Sequence, residues 1–249
     1  MPEVDGCNQI SDSGMATLSD AIARGTLGKL TTLSLTTHKI SDPGMVSLSE
    51  AMTSGSLRNL QSLDLSYNDI GDAGMTALAG AITRGSIASL KWLSLTGAMI
   101  TAAGASALAE AIASGSLGSL QWLYLDGRQY GREWGIRDAG VIALANAMRN
   151  PKGSLGKLGT LGLSYNRIGK EGMDALHSAI ANGLLPALSQ LKNLDKGNNN
   201  VDGGCLLGEC RNNDWYRVQG ALCNQLVCPL GTNRLGCAAC LKSAHRNYG

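Results

Sequence analysis

The side chains best suited to chemistry crowd the end of the chain. Cys205, Cys210, Cys223, Cys228, Cys237 and Cys240 run as C-x4-C, twelve residues, C-x4-C, eight residues and C-x2-C, with His245 beyond them. Thiolates and imidazole are zinc ligands, and a structural zinc site needs four of them at close spacing. Only Cys237 and Cys240 have the two-residue gap of a zinc knuckle, which makes Cys237, Cys240 and His245 the zinc candidates. The wider pairs favour free thiols, and disulfides would contradict an intracellular setting. No metal and no cofactor is expected. Nucleophilic catalysis finds no support either, because His38, His177 and His245 are far apart and no serine or cysteine stands at a known catalytic spacing from them. Arg128, Arg132 and Arg137 gather in one stretch. An arginine offered to a bound GTPase stabilises charge during phosphoryl transfer, but arginine content fixes no geometry.

Composition points away from a core of bulky rings and towards stacked small units. The 249 residues include 33 glycines, no phenylalanine and only four tryptophans and six tyrosines, too few rings for a core built around bulky aromatics. Residues 1–193 hold 15 basic and 15 acidic side chains, and residues 194–249 hold 6 and 4. A neutral body without a basic stripe offers phosphate backbones little, so nucleic acid is not an expected partner. No stretch approaches the roughly 18 uninterrupted apolar residues of a membrane span. The opening MPEVDGCNQISDSG is acidic and polar where a secretory signal would be basic and then apolar, which gives a cytoplasmic expectation.

Whatever binds or reacts must be positioned by a repeat. Leu30, Leu60, Leu90 and Leu120 fall 30 residues apart, and each opens L-x-x-L-x-L: LTTLSL, LQSLDL, LKWLSL and LQWLYL, with LGTLGL following at Leu158. Behind each come an apolar residue (Ile40, Ile70, Ile100, Ile136, Ile168) and, four further on, a glycine (Gly44, Gly74, Gly104, Gly140, Gly172). The alternation predicts a short strand, and the spacing of Met45, Leu48 and Met52 predicts a helix with one apolar stripe. Asp12, Asp42, Asp72 and Asp138 stand where an N-cap is expected, and Gly25, Gly55, Gly85, Gly115 and Gly183 where a left-handed C-cap wants glycine. Neither half buries its apolar side alone, so units must stack, with strands paired in parallel on a concave face and helices on the convex one. The expected architecture is an α/β solenoid: a half repeat or cap over 1–29, five full repeats over 30–193 with an insertion near 127–137, and a degenerate last repeat with a cysteine-rich tail over 194–249.

These units resemble the ribonuclease-inhibitor-like subfamily of leucine-rich repeats, whose pattern is roughly L-x-x-L-x-L-x-x-N-x-I-x-x-x-G-x-x-x-L-x-x-A-L. LQSLDLSYNDIGDAGMTALAGAI, from Leu60 to Ile82, matches best, and LGTLGLSYNRIGKEGMDALHSAI, from Leu158 to Ile180, nearly as well. The resemblance covers residues 8–193 and implies a horseshoe that serves as a scaffold for protein partners, as in ribonuclease inhibitors, sensor regions of NOD-like receptors and Ran GTPase-activating proteins. The pattern's asparagine survives only as Asn68 and Asn166. His38, Ala98 and Arg128 replace it elsewhere, and waters or local adjustments are expected there.

Register then nominates a binding face. Thr32, Ser34, Thr36, Ser62, Asp64, Ser66, Tyr67, Trp92, Ser94, Thr96, Trp122, Tyr124, Asp126, Thr160, Ser164 and Tyr165 are the expected exposed concave positions. Trp92 and Trp122 fall side by side, and tryptophan and tyrosine are enriched at binding hot spots. The fourth full unit is eight residues longer than its neighbours. The excess lies mostly in DGRQYGREWGIRD, which adds Arg128, Tyr130, Arg132 and Trp134 to the candidates. Such insertions project from one edge of a solenoid, often the binding edge. The expectation is a non-enzymatic protein-interaction module whose partner carries basic and apolar groups; the alternative is a GTPase-activating accessory.

Overall fold

A computed structural model describes residues 10–129, 133–153, 155–192 and 216–217. Helix and strand alternate in the order α1 (Ser11–Ala23), β1 (Thr32–Ser34), α2 (Asp42–Met52), β2 (Ser62–Asp64), α3 (Asp72–Thr83), β3 (Trp92–Ser94), α4 (Ala102–Ala113), β4 (Trp122–Tyr124), α5 (Arg137–Met148), β5 (Thr160–Gly162), α6 (Lys170–Ala181), β6 (Gln190–Lys192) and β7 (Tyr216–Arg217). Strands β1 to β6 pair in parallel in chain order, and β7 adds to β6 antiparallel. Leu33, Leu63, Leu93, Leu123, Leu161 and Leu191 are mutual partners across this ladder, so every repeat presents the same side chain to the core. Parallel strands lie about 4.8 Å apart, whereas packed helices need about 8–10 Å. The stack therefore curves, with the sheet on its inner side.

The core is what the leucine pattern dictates. Met45, Leu48 and Met52 are fully buried, as are Met75 and Leu78, with Ile82 almost so, beneath the leucines of the strands. The glycines after the helices have positive φ, from 70° at Gly183 to 85° at Gly115, a conformation that suits a residue without a Cβ.

The aspartates overturn the expectation that they cap their own helices. Asp42 and Asp72 are the first residues of α2 and α3, and the residues before these helices, Ser41 and Gly71, make no side-chain cap. Each carboxylate instead reaches the helix of the following repeat. Oδ1 of Asp12 accepts from the backbone N–H of Ser41 and Gly44, that of Asp42 from Gly71 and Gly74, that of Asp72 from Thr101 and Gly104, and that of Asp138 from Gly169 and Gly172. The physical reason is the stacking offset: the first turn of one helix lies beside the unbonded N–H groups that open the next, where an anion is stabilised. This also explains the glycine in the first turn of α2, α3, α4 and α6. A Cβ on Gly104 would stand 2.5 Å from Oδ1 of Asp72 and 2.7 Å from Cγ2 of Ile100.

The ladder has one interruption. Ala102 occupies the aspartate position before α5, and that helix starts differently: its N-cap Ile136 is right-handed helical and Arg137 has φ 52°, whereas Ser41, Gly71, Thr101 and Gly169 are all extended. Where the carboxylate is present the chain enters the helix extended; where it is missing the entry is rebuilt around a left-handed residue.

Asparagines form the second inter-repeat tie. Oδ1 of the fully buried Asn68 accepts from the N–H of His38 and Ile40, and its Nδ2 donates to the carbonyls of Leu35, Leu65 and Ser66. Asn166 likewise accepts from Ile136 and donates to Leu125 and Ser164. At Ala98 the tie is absent, and a cavity with room for the centre of one water, about 10 Å³, lies against Ala98, Leu125, Gly127 and Asn166.

Candidate partner-binding face

Four rows of positions cross the outer side of the sheet: alternate residues of each repeat supply three, the next residue a fourth, and the parallel register aligns them. One row runs Thr32, Ser62, Trp92, Trp122, Thr160, Gln190, and the next Ser34, Asp64, Ser94, Tyr124, Gly162. Backbone bonds from Thr37 to Ser66, Tyr67 to Thr96, Gly97 to Asp126 and Gly127 to Ser164 align the other two, Thr36 to Ser164 and Thr37 to Tyr165.

The structure joins the aromatic candidates of β3 and β4 into one cluster. Ring centroids of Trp92 and Trp122 are 5.8 Å apart at 39°, and those of Trp92 and Tyr124 4.9 Å apart at 47°. Both are tilted pairings of the kind ring quadrupoles favour. Trp122 keeps 36% of its surface exposed, and Tyr67, its ring over Gly97, keeps 60%. Tyr124 departs from expectation. Only 9% of it is exposed, because Trp92 leans on one side and its ring closes over Gly162, where a Cβ would stand 3.0 Å from Cδ1. Tyr124 therefore supports the patch from beneath. Ser66, Ser94, Thr160 and Ser164, expected at the surface, are also buried, and the hydroxyls of Ser66 and Ser94 bond each other at 2.7 Å.

Two carboxylates flank the rings. Asp64 Oδ1 accepts from the backbone N–H and hydroxyl of Ser66, and Asp126 Oδ1 from the N–H of Ser164. Both side chains are half-buried, and Tyr165 and Trp134 are likewise partly covered.

Arg128 does not project from a loop as the insertion suggested. Its Nε donates to the carbonyl of Gly97 at 2.6 Å, and its Nη2 to the carbonyl of Asn68 and to Asp69 Oδ1 at 2.9 and 2.8 Å. One guanidinium thus ties three successive repeats beside the missing asparagine at Ala98, the local adjustment that replaces it. Sequence reasoning missed Asp69 as its partner, since a contact between residues 59 apart leaves no local pattern. Tyr130, Arg132, Cys237, Cys240 and His245 lie outside the described residues.

Little here invites acid–base chemistry. Among the described residues no three His, Cys, Asp or Glu side chains gather as a metal site would require. The Lys170 ammonium is held above its ordinary pKa by a hydrogen bond to Asp174, an exposed pair one helical turn apart on α6 and away from the sheet.

With this geometry established, comparison places the fold. A family described as Leucine Rich repeat matches residues 29–49, 56–79 and 157–176. No curated protein matches the chain. A solved structure described as Leiomodin-1 Actin-Binding Site 2 (ABS2) is similar, with TM-score 0.50 and 16% identity, over 68% of this chain and 86% of that one. A structure described as a TDR receptor aligns at TM-score 0.33 and 15% identity over 74% of this chain and 33% of the receptor. The molecule is a leucine-rich-repeat solenoid, its parallel sheet alternating with helices as the repeat pattern required. Among the described residues no helix is long and apolar enough to cross a membrane.

Proposed function

We propose that this chain is a non-enzymatic recognition module whose sheet face binds a protein partner. The observation that carries the reading is the cluster of Trp92, Trp122 and Tyr124 on adjacent strands, with Trp122 still open to solvent. Exposed tryptophan packed against a second ring on a sheet combines large contact area with little conformational entropy left to lose, which suits a binding anchor. Asp64, Asp126, Tyr67 and Tyr165 surround it. Trp134 and Arg128, and with them Tyr130 and Arg132, belong to the rim of this reading, where Arg128 acts by fixing the loop. The similar solved structure, an actin-binding site by its description, has a fold of this kind, and the ribonuclease-inhibitor-like pattern of the units accords with a scaffold. The GTPase-activating alternative gains no observation, since Arg128 is bonded to Gly97, Asn68 and Asp69.

The test is site-directed photo-crosslinking in native extract. A photoreactive residue in place of Trp122 should capture a protein that the same residue in place of Glu110, exposed on α4, does not. Equal capture from both positions refutes the sheet-face assignment.

A further inference from the structure

Resting on the reading of the sheet as a binding face, we propose that its occupant is an extended peptide segment carrying arginines, one of which stacks on the exposed tryptophan ring. Strands β1 to β5 present fifteen outward positions, from Thr32 to Ser164, and only two carry charge: Asp64 and Asp126, both acidic. The bases beside the face are engaged elsewhere: Arg128, two residues beyond Asp126, is bonded to Gly97, Asn68 and Asp69, and Lys91, just before Trp92, donates to Oε1 of Gln61 at 2.9 Å. The face is thus negative and aromatic at its centre.

The carboxylates are held ready. Each has Oδ1 bonded to a backbone N–H, which fixes its orientation, while no donor among the described residues reaches Oδ2 of either. A chain of hydroxyls from Ser66 through Ser94 to Thr96 runs between them, at 2.7 and 3.3 Å, and adds polar groups without adding charge. The aromatic surface is equally fixed, since Trp92 is clasped between Trp122 and Tyr124.

A cation suits this arrangement, and a guanidinium suits it better than an ammonium. Carboxylates paired with no base among the described residues attract positive charge, and an indole face attracts a cation through its quadrupole. Guanidinium is planar, stacks on rings and donates in a fork to a carboxylate, whereas an ammonium is a compact, strongly hydrated point charge. Asp64 and Asp126 lie two strands and one two-residue step apart, which from strand spacing and rise is roughly 12 Å. An extended chain covers roughly 13 Å in four residues. Two arginines four positions apart therefore match the two carboxylates, with the aromatic cluster beside the path between them.

The experiment measures binding of the full chain to four fluorescein-labelled decapeptides of glycine, serine and proline that differ only at two positions four apart: arginine, lysine, leucine or glutamate. Fluorescence anisotropy at low and near-physiological salt reads the affinity. The arginine peptide is expected to bind tightest, the lysine peptide about fivefold more weakly, and the glutamate peptide not measurably. Added salt should weaken arginine binding, because half-exposed charge pairs are screened. Asp64→Asn with Asp126→Asn should weaken it about tenfold and Trp122→Ala about fivefold, while Glu110→Ala leaves it unchanged. Arginine binding that is undetectable, or unaltered by Asp64→Asn with Asp126→Asn, overturns the proposal. Preference for the leucine peptide, lost on Trp122→Ala, overturns it too but leaves the sheet-face reading standing; peptide binding untouched both by Trp122→Ala and by Asp64→Asn with Asp126→Asn overturns both.

Discussion

Replacing Asp72 with alanine tests the inter-repeat ladder at its best-formed rung. The carboxylate accepts from Thr101 N at 2.8 Å, Gly104 N at 2.8 Å and the Thr101 hydroxyl at 2.6 Å. A hydrogen bond to a charged acceptor contributes about 1.5–3 kcal/mol, and losing a cap costs about 0.5–2 kcal/mol. The bonds share one group and the site is only half-buried, so the contributions do not add. We expect a loss of about 2–3 kcal/mol, which at this chain length lowers Tm by about 4–12 °C. Asp72→Asn keeps an oxygen facing the same N–H groups and forfeits only the charge at the helix start, a loss of about 1 kcal/mol or less. Asp20→Ala, on the exposed side of α1, is the neutral control. Urea unfolding followed by circular dichroism gives all three values. A loss below about 0.5 kcal/mol on Asp72→Ala, or an asparagine variant as damaged as the alanine one, refutes the claim that each aspartate secures the next helix.

Further outcomes follow from the same geometry. Asn68→Ala leaves the buried N–H groups of His38 and Ile40 and the carbonyl of Leu35 without their partner, and should cost about 3 kcal/mol or more in the same unfolding assay. Arg128→Ala should cost about 1 kcal/mol, because its partner Asp69 is 42% exposed; Arg128→Lys should recover little, since one ammonium cannot replace a fork spanning Gly97, Asn68 and Asp69. Hydrogen exchange near Gly97 should quicken in both variants, and unchanged protection there would contradict the strut.

Period and face were legible in the sequence because they are local. Leucines 30 apart with L-x-L alternation leave one way to bury the apolar side, and the aligned leucines of the ladder follow from it. Glycines past α1, α2, α3, α4 and α6 were equally plain, since a positive φ favours a residue without a Cβ. The direction in which the aspartates cap was not legible: residue type and position fit a cap of the helix in hand or of the next one, and only the stacking offset decides. Tyr124 shows a second limit. Strand alternation places it outward with Trp122, yet its exposure depends on what neighbouring strands offer, a tryptophan in β3 and a glycine in β5. Arg128 shows a third, since its acceptors lie one and two repeats back, while the loop's composition spoke only for a basic, aromatic surface.

The central claim, that the sheet face around Trp92 and Trp122 binds the partner, is tested most directly by affinity. Take the protein captured through the photoreactive residue at Trp122 and measure its dissociation constant for wild type, for Trp92→Ala with Trp122→Ala, and for Glu50→Ala with Glu110→Ala on the helical side. Two aromatic anchors at about 2 kcal/mol or more each predict weakening of roughly 700-fold in the first variant if they add, and of at least about thirtyfold if they act as one, and the second variant should match wild type. Equal affinity across all three would contradict the account.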